Sequence, residues 1–230
     1  LSFFVESFSR ALELFLSADP ALFAIVRTSL ATSGLAVAIA SVLAIPAGIV
    51  IALTPFAGKE ALRHGLNALM ALPTVVVGLV LYGILSRQGP LGSANLLFTP
   101  WAIVIGQTLL VIPLLLNLIW TAVQTADPRI TFTCRTLGAS RSQQAIIVFH
   151  ECRLAVVAAT ILAFGRAIGE VGVAMMLGGN IAGYTRTMTT AIALETSKGE
   201  FALGLALGLV LLMVALLTNL ALGLLGKRPE

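Results

Sequence analysis

Residues 19–53 read DPALFAIVRTSLATSGLAVAIASVLAIPAGIVIAL. Asp19 is a good N-cap and Pro20 suits the first helical position, so a helix begins here. The run from Ala21 to Leu53 holds one charged residue, Arg27, near its start, and Pro46 near its end. A bilayer core takes about 20 apolar residues as a helix. This run is longer, so the span it predicts tilts or protrudes.

The whole chain shares that character. Of its 230 residues, 58% are hydrophobic and 10% are charged. A soluble domain is about 45–50% apolar and about 25% charged. Mean hydropathy is +1.02. The composition therefore excludes a soluble enzyme, and it excludes a disordered chain, which needs low hydrophobicity and high charge. The net charge of +4 comes from basic residues placed between apolar segments. That is the positive-inside pattern of membrane proteins, not a nucleic-acid surface. Cys134 and Cys152 lack metal-ligand spacing and read as free thiols.

Working outward, residues 1–18 form an amphipathic pattern in which Phe4, Phe8, Leu12 and Phe15 recur at helical spacing around Glu6, Arg10 and Glu13. The stretch is short and charged for a span and reads as an interfacial helix; a sixth span is the alternative. It has no basic leader region, so no signal peptide is read there. Residues 19–230 form the transmembrane domain. A second span runs from about Leu66 to Leu85 with Pro73 inside it. Thr99-Pro100 repeats the cap-then-proline signal and opens a third, to about Val123, with Pro113 inside. Asp127-Pro128 opens a short polar helix ending near Gly138. A fourth span covers about Arg153 to Leu177, a loop Gly178 to Gly199, and a fifth span about Phe201 to Leu225. Trp101 and Trp120, near the ends of the third span, read as interface anchors.

The prediction is thus an all-α polytopic protein with about five spans. Lys59, Arg63, Arg129, Arg135, Arg141, Arg153, Lys227 and Arg228 fall on one side; Arg10, Arg27, Arg87, Arg186 and Lys198 fall on the other. The richer side is cytoplasmic by the positive-inside rule, and it includes the C-terminus.

Several chemistries are missing. No G-x-x-x-x-G-K-[ST] loop occurs: Gly58-Lys59 and Gly226-Lys227 are followed by Glu60 and Arg228. The chain is therefore not expected to hydrolyse ATP or to hold a cofactor. His64 and His150 are the only histidines, too few for a histidine metal cluster. The informative polar segment is the connection 124–153. A capped helix, then Gly138 as a left-handed stop, then small and basic residues form a piece that can dock into a groove of a soluble partner. A plain surface loop is the other reading.

Arg135-Thr136-Leu137-Gly138-Ala139-Ser140-Arg141 resembles the cytoplasmic signature of binding-protein-dependent ABC importer permeases. In that family Glu-Ala-Ala precedes the glycine and Leu-Pro follows it. Here Phe132, Thr133 and Cys134 stand at the first place, and His150 and Glu151 at the second. The stretch 71–82 with 86–92 looks like the second helix of tungstate permeases. The stretch 164–181 is similar to its counterpart in tungstate, molybdate and sulfate permeases. The resemblance covers nearly all of the chain after residue 20. It implies a type I importer permease in a prokaryotic cytoplasmic membrane. It further implies a second copy of the chain, two cytoplasmic ATPase subunits holding ATP and Mg²⁺, and an external oxyanion-binding protein. Tungstate is the expected cargo, with molybdate or sulfate as alternatives.

Within that frame, residues 135–141 are the expected coupling site to the ATPase. Arg166 and Glu170 lie four residues apart in the fourth span, on one helix face. A charge at mid-bilayer costs about 2.5–3.5 kcal/mol on insertion scales. Either Arg166 lines or gates a dianion's path with Glu170 restraining it, or the pair locks helix packing. Pro73 and Thr74 either narrow that path or mark a kink with an internally bonded hydroxyl. An ion-coupled carrier is the rival reading; it should show inverted repeats and intramembrane carboxylates, and only Glu170 is of that kind.

Overall fold

The computed structural model describes residues 19–226 together with Phe8, Ser9 and Glu13. The interfacial helix expected over 1–18 falls almost wholly outside the described residues. So does Lys227-Arg228. Among the described residues the chain is helical, with no strand.

Helix α1 (Pro20–Leu53) starts where the sequence places it. The Asp19 carboxylate accepts from the N–H groups of Ala21 at 2.7 Å and Leu22 at 3.2 Å. The other two cap-then-proline signals also hold. Thr99 caps α4 (Pro100–Thr125) and Asp127 caps α5 (Pro128–Thr136). In each, Pro occupies a position whose N–H would have no helical partner. Helices α1 and α4 form the central pair, and both keep an internal proline.

The second span differs from the expectation. It is two helices, α2 (Lys59–Ala71) and α3 (Thr74–Leu85), bent by 92°. Pro73 ends one and begins the other. Its ring pushes Leu72 out of the helical region, to φ −63° and ψ 136°, and Pro73 itself becomes the N-cap of α3. The fourth span is broken as well. Helix α6 (Arg141–Glu151) bends by 71° into α7 (Arg153–Ile168). Helix α7 stops at Gly169, and a separate short helix, α8 (Gly172–Gly178), follows. Glu170 therefore lies in a break, not inside a continuous helix. The loop expected over 178–199 contains α9 (Met188–Lys198), bounded by a Thr187 capping box and a left-handed Gly199. Helix α10 (Phe201–Gly226) closes the described chain. Three helices are long and apolar enough to cross a membrane, and five spans result when each bent pair counts as one.

Three apolar clusters hold these pieces. The largest joins α1, α4, α6 and α7 around Val37, Val111, Leu115 and Ile119. A second packs α1 against α9 and α10. A third joins α3, α4 and α8. Gly106 of α4 makes the third one possible: a Cβ there would overlap Val173 Cγ1 and lie 2.7 Å from Leu177 Cδ1. Gly106→Ala is expected to cost about 1–3 kcal/mol by overpacking, read as a lower Tm of the detergent-solubilised protein.

Trp101 is exposed, as an interface anchor should be, whereas Trp120 is buried. Lys59 and Arg63 of α2 sit over its ring at 5.5 and 5.7 Å. Lys59 also donates to Ala52 O at 2.7 Å, closing the C-terminal end of α1.

Candidate functional site

Two places bring together the polar residues singled out in the sequence. The first is the turn between α5 and α6. Ala139 N–H donates to Cys134 O at 2.9 Å and Gly138 N–H to Arg135 O at 3.1 Å. This six-to-one and five-to-two pair is a Schellman stop. It needs a left-handed residue, and Gly138 supplies it at φ +74°. Ser140 then caps α6. Its Oγ accepts from Gln143 N–H, while Gln143 Oε1 accepts from Ser140 N–H at 2.8 Å. Gln144 donates to Ala139 O at 3.0 Å. The turn is thus rigidly built, yet it projects outward: Leu137 is 80% exposed and Phe132, on α5, is 70% exposed. Arg135 and Arg141 flank Leu137 in the sequence, both exposed. A bare leucine on a stiff turn between two arginines, with a bare phenylalanine on the helix that precedes it, makes an anchor for a protein groove. The sequence reading named Leu137 but treated Phe132 only as a departure from a pattern; its exposure was not readable in one dimension.

The second place is the break after α7. About 20 Å of helix separate Arg153 from Arg166 at 1.5 Å per residue, so this site lies far along α7 from the 135–141 turn. Arg166 Nη1 meets Glu170 Oε2 at 2.7 Å. The two side chains are not equivalent: Glu170 is 3% exposed and Arg166 45%. Glu170 Oε1 also accepts from Val173 N–H at 3.2 Å, capping α8. Its backbone carbonyl accepts from Thr189 Oγ1 at 2.7 Å. Gln107 donates to Ala167 O at 3.0 Å. In this way polar groups at the break pair with partners on α4, α8 and α9, as a membrane interior requires.

Pro73 and Thr74 lie beside this break. A Cβ on Gly172 would fall 2.8 Å from Thr74 Oγ1 and 3.1 Å from Val75 N. The structure therefore packs the start of α3 against the start of α8, two residues after Glu170. Residues 135–141 belong to the other site, at the far end of α6 and α7.

The sequence reading missed several members. Ser29 accepts from Met188 N–H at 2.7 Å and pins the start of α9 to α1. Glu195, 7% exposed at its side chain, lies 3.6 Å from Arg186 and 3.2 Å from Lys198. A signal existed: Thr187 three residues before Thr190 and Gly199 after Lys198 bracket a short helix. Its polar composition concealed that it folds back into the bundle.

No group of three or more His, Cys, Asp or Glu able to hold a metal occurs among the described residues. What the break offers is a guanidinium with open space on one side and a buried carboxylate on the other. Such a pair presents N–H donors to an anion while cancelling much of the attraction.

From residue 44 to 230 the chain matches the family described as binding-protein-dependent transport system inner membrane component. It is 41% identical to a tungstate uptake system permease protein of Peptoclostridium acidaminophilum, over 95% of this chain and 96% of that one. It is 36% identical to the tungstate uptake system permease protein of Campylobacter jejuni, over 95% and 92%. A probable anion ABC transporter permease protein of Haloferax volcanii is 40% identical over 88% and 89%.

Proposed function

The chain belongs to the binding-protein-dependent transport system inner membrane components, and from that premise we propose that it is the membrane-spanning subunit of an ATP-driven oxyanion importer, with tungstate as cargo. The all-α architecture of broken helices is that of a type I importer permease. The observation that carries the reading is the stiff exposed turn at 135–141, with Leu137 bare on it and Phe132 bare on the α5 helix that leads into it. A turn of this kind has no use within the chain and suits a soluble partner that moves.

The proposed assembly holds a second copy of the chain, two cytoplasmic ATPase subunits that bind ATP and Mg²⁺, and an external binding protein. ATP binding closes the ATPase subunits. The turns at 135–141 follow, and the motion passes along α6 and α7 to the break at Glu170. There Arg166 meets the passing dianion, with Glu170 keeping the contact weak enough for release. The break at Pro73-Thr74 moves with it, because α3 and α8 are in contact. This is coupling between two sites through an element with two arrangements. Tungstate is favoured over molybdate and sulfate by the names of two relatives.

The test is ATPase activity of the chain in liposomes with its ATPase and binding protein, titrated with tungstate, molybdate and sulfate. Stimulation by loaded binding protein, lost in Gly138→Pro, is the expected result. Proline demands φ near −65°, and Gly138 stands at +74°. Anion flux through this chain alone, with subunits that never assemble, would establish an ion-coupled carrier instead.

Topology gives a separate check. Helix α4 is 26 residues long, about 39 Å at 1.5 Å per residue. Its two ends therefore lie at opposite membrane faces. In right-side-out vesicles a membrane-impermeant maleimide is expected to modify Ser93→Cys directly. Ser142→Cys should react only after permeabilisation. The reverse order would invert the proposed orientation.

A further inference from the structure

A cavity of about 700 Å³ lies just before the start of α4, whose other end leads towards the 135–141 turn. It lies between the end of α3 and the loop 86–98. Its lining includes Ser86, Arg87, Gln88 and Asn95 above Tyr82 and Phe98. Arg87 is the one charged residue among those lining it, and no carboxylate does so. Among the described residues no ion pair occupies the Arg87 guanidinium. This differs from Arg166 and Arg186, each of which faces a glutamate.

The cavity has a built frame. Leu91 N–H donates to Ile84 O at 3.0 Å and Gly89 N–H to Ser86 O at 2.8 Å. A Cβ on Gly89 would overlap Gly83 O, so the loop is wound directly onto the end of α3. The Tyr82 and Phe98 rings meet edge to face at 6.1 Å and form a firm floor. Phe98 takes a left-handed backbone, φ +62°. That conformation lets its N–H donate to Leu177 O at 2.8 Å, while the ring fills the space a Cβ on Gly179 would need. The floor is thereby fastened to the C-terminal end of α8, whose other end is capped by Glu170.

We infer that this cavity is a low-affinity receiving site for a tetrahedral oxyanion, with Arg87 as its charged ligand and the Gln88 and Asn95 amides as neutral donors. The inference rests on the reading that the chain passes oxyanions, and it assigns where such an anion is first met. An unpaired guanidinium attracts a dianion and orients it through paired N–H donors. A site with one exposed cation in high dielectric binds weakly. Weak binding suits a place from which the anion must move on. The concave, amide-rimmed shape favours a small anion over an acidic side chain of a docking protein.

The test uses the full chain in liposomes, without ATPase or binding protein. Ser86→Cys, in the lining but with no assigned contact to the anion, is labelled with an impermeant thiol reagent. Cys134 and Cys152 are buried, and labelling of the unsubstituted chain is subtracted. Millimolar tungstate is expected to slow labelling about threefold or more through occupancy by the charge-assisted contact, whereas chloride at the same ionic strength does not. The protection should vanish when Arg87→Gln is added. Leu97→Cys, also in the lining, serves as a second reporter should Ser86→Cys fold poorly. Equal effects of tungstate and chloride, or protection that persists in Arg87→Gln, would overturn the assignment. Absence of tungstate protection would also overturn it and leave Arg87 as a contact for the docking protein. None of these outcomes depends on ATP hydrolysis, so failure here and failure of the importer reading are separable.

Discussion

Leu137→Asp should leave the permease folded and abolish ATP hydrolysis stimulated by loaded binding protein. Leu137 is 80% exposed, so the isolated chain loses no packing when it becomes polar. Surface changes of this kind are usually within about 0.5 kcal/mol of neutral. Its value lies in the complex, where an apolar anchor in a protein groove is worth about 2 kcal/mol or more, roughly thirtyfold in affinity. A carboxylate there also meets a desolvation cost. Phe132→Asp should behave similarly, and the two together should prevent assembly altogether. Unchanged Tm, lost co-purification of the ATPase subunit and lost stimulated hydrolysis form the expected set. Normal assembly in the double variant would place the contact elsewhere.

The second large effect concerns Arg166 and Glu170, which are expected to respond unequally. Arg166→Ala strands a carboxylate that is 3% exposed. Breaking a buried pair from that side costs about 3–5 kcal/mol. Glu170→Gln leaves a guanidinium that is 45% exposed and, if it faces the proposed anion path, can turn to water there. The glutamine oxygen can still accept from Val173 N–H, so about 1 kcal/mol is lost, the scale of one ordinary hydrogen bond. The double variant Arg166→Gln, Glu170→Gln removes both charges and should recover most of the stability. Thermal unfolding in detergent gives the ranking; uptake by the recovered double variant then separates the two roles. A stable protein that no longer transports supports a place on the anion path. A stable protein that transports normally leaves the pair as a packing lock.

The starts of three helices were legible because their signals are local. Asp19-Pro20, Thr99-Pro100 and Asp127-Pro128 each start a helix through a side-chain cap and a missing N–H, and neither needs a tertiary partner. Gly138 was legible for the same reason: a left-handed stop is a property of one residue. The breaks were not. Pro46 and Pro113 remain inside helices, while Pro73 ends one. All three lack the same N–H. What differs is the surroundings: the chain at Pro73 turns by 92° and α3 then packs on α8 through Gly172.

The same limit applied to the site. The Arg166–Glu170 pair was visible from its spacing of four. That Glu170 lies in a break, caps α8 and binds Thr189 through its carbonyl was not, because Thr189 comes 19 residues later. Helix α9 had readable ends, but its polar residues argued for a loop until the buried partners were seen.

By itself, then, the sequence determined the solvent, the order of the apolar segments, three helix starts and the glycine stop at 138. Each of these follows from composition or from contacts within a few residues. The tertiary structure alone decided which prolines break a span, how the polar groups of α7, α8 and α9 satisfy one another, and which arginines are left without a carboxylate. Those depend on long-range pairing, since a buried polar group must find its partner wherever in the chain that partner lies.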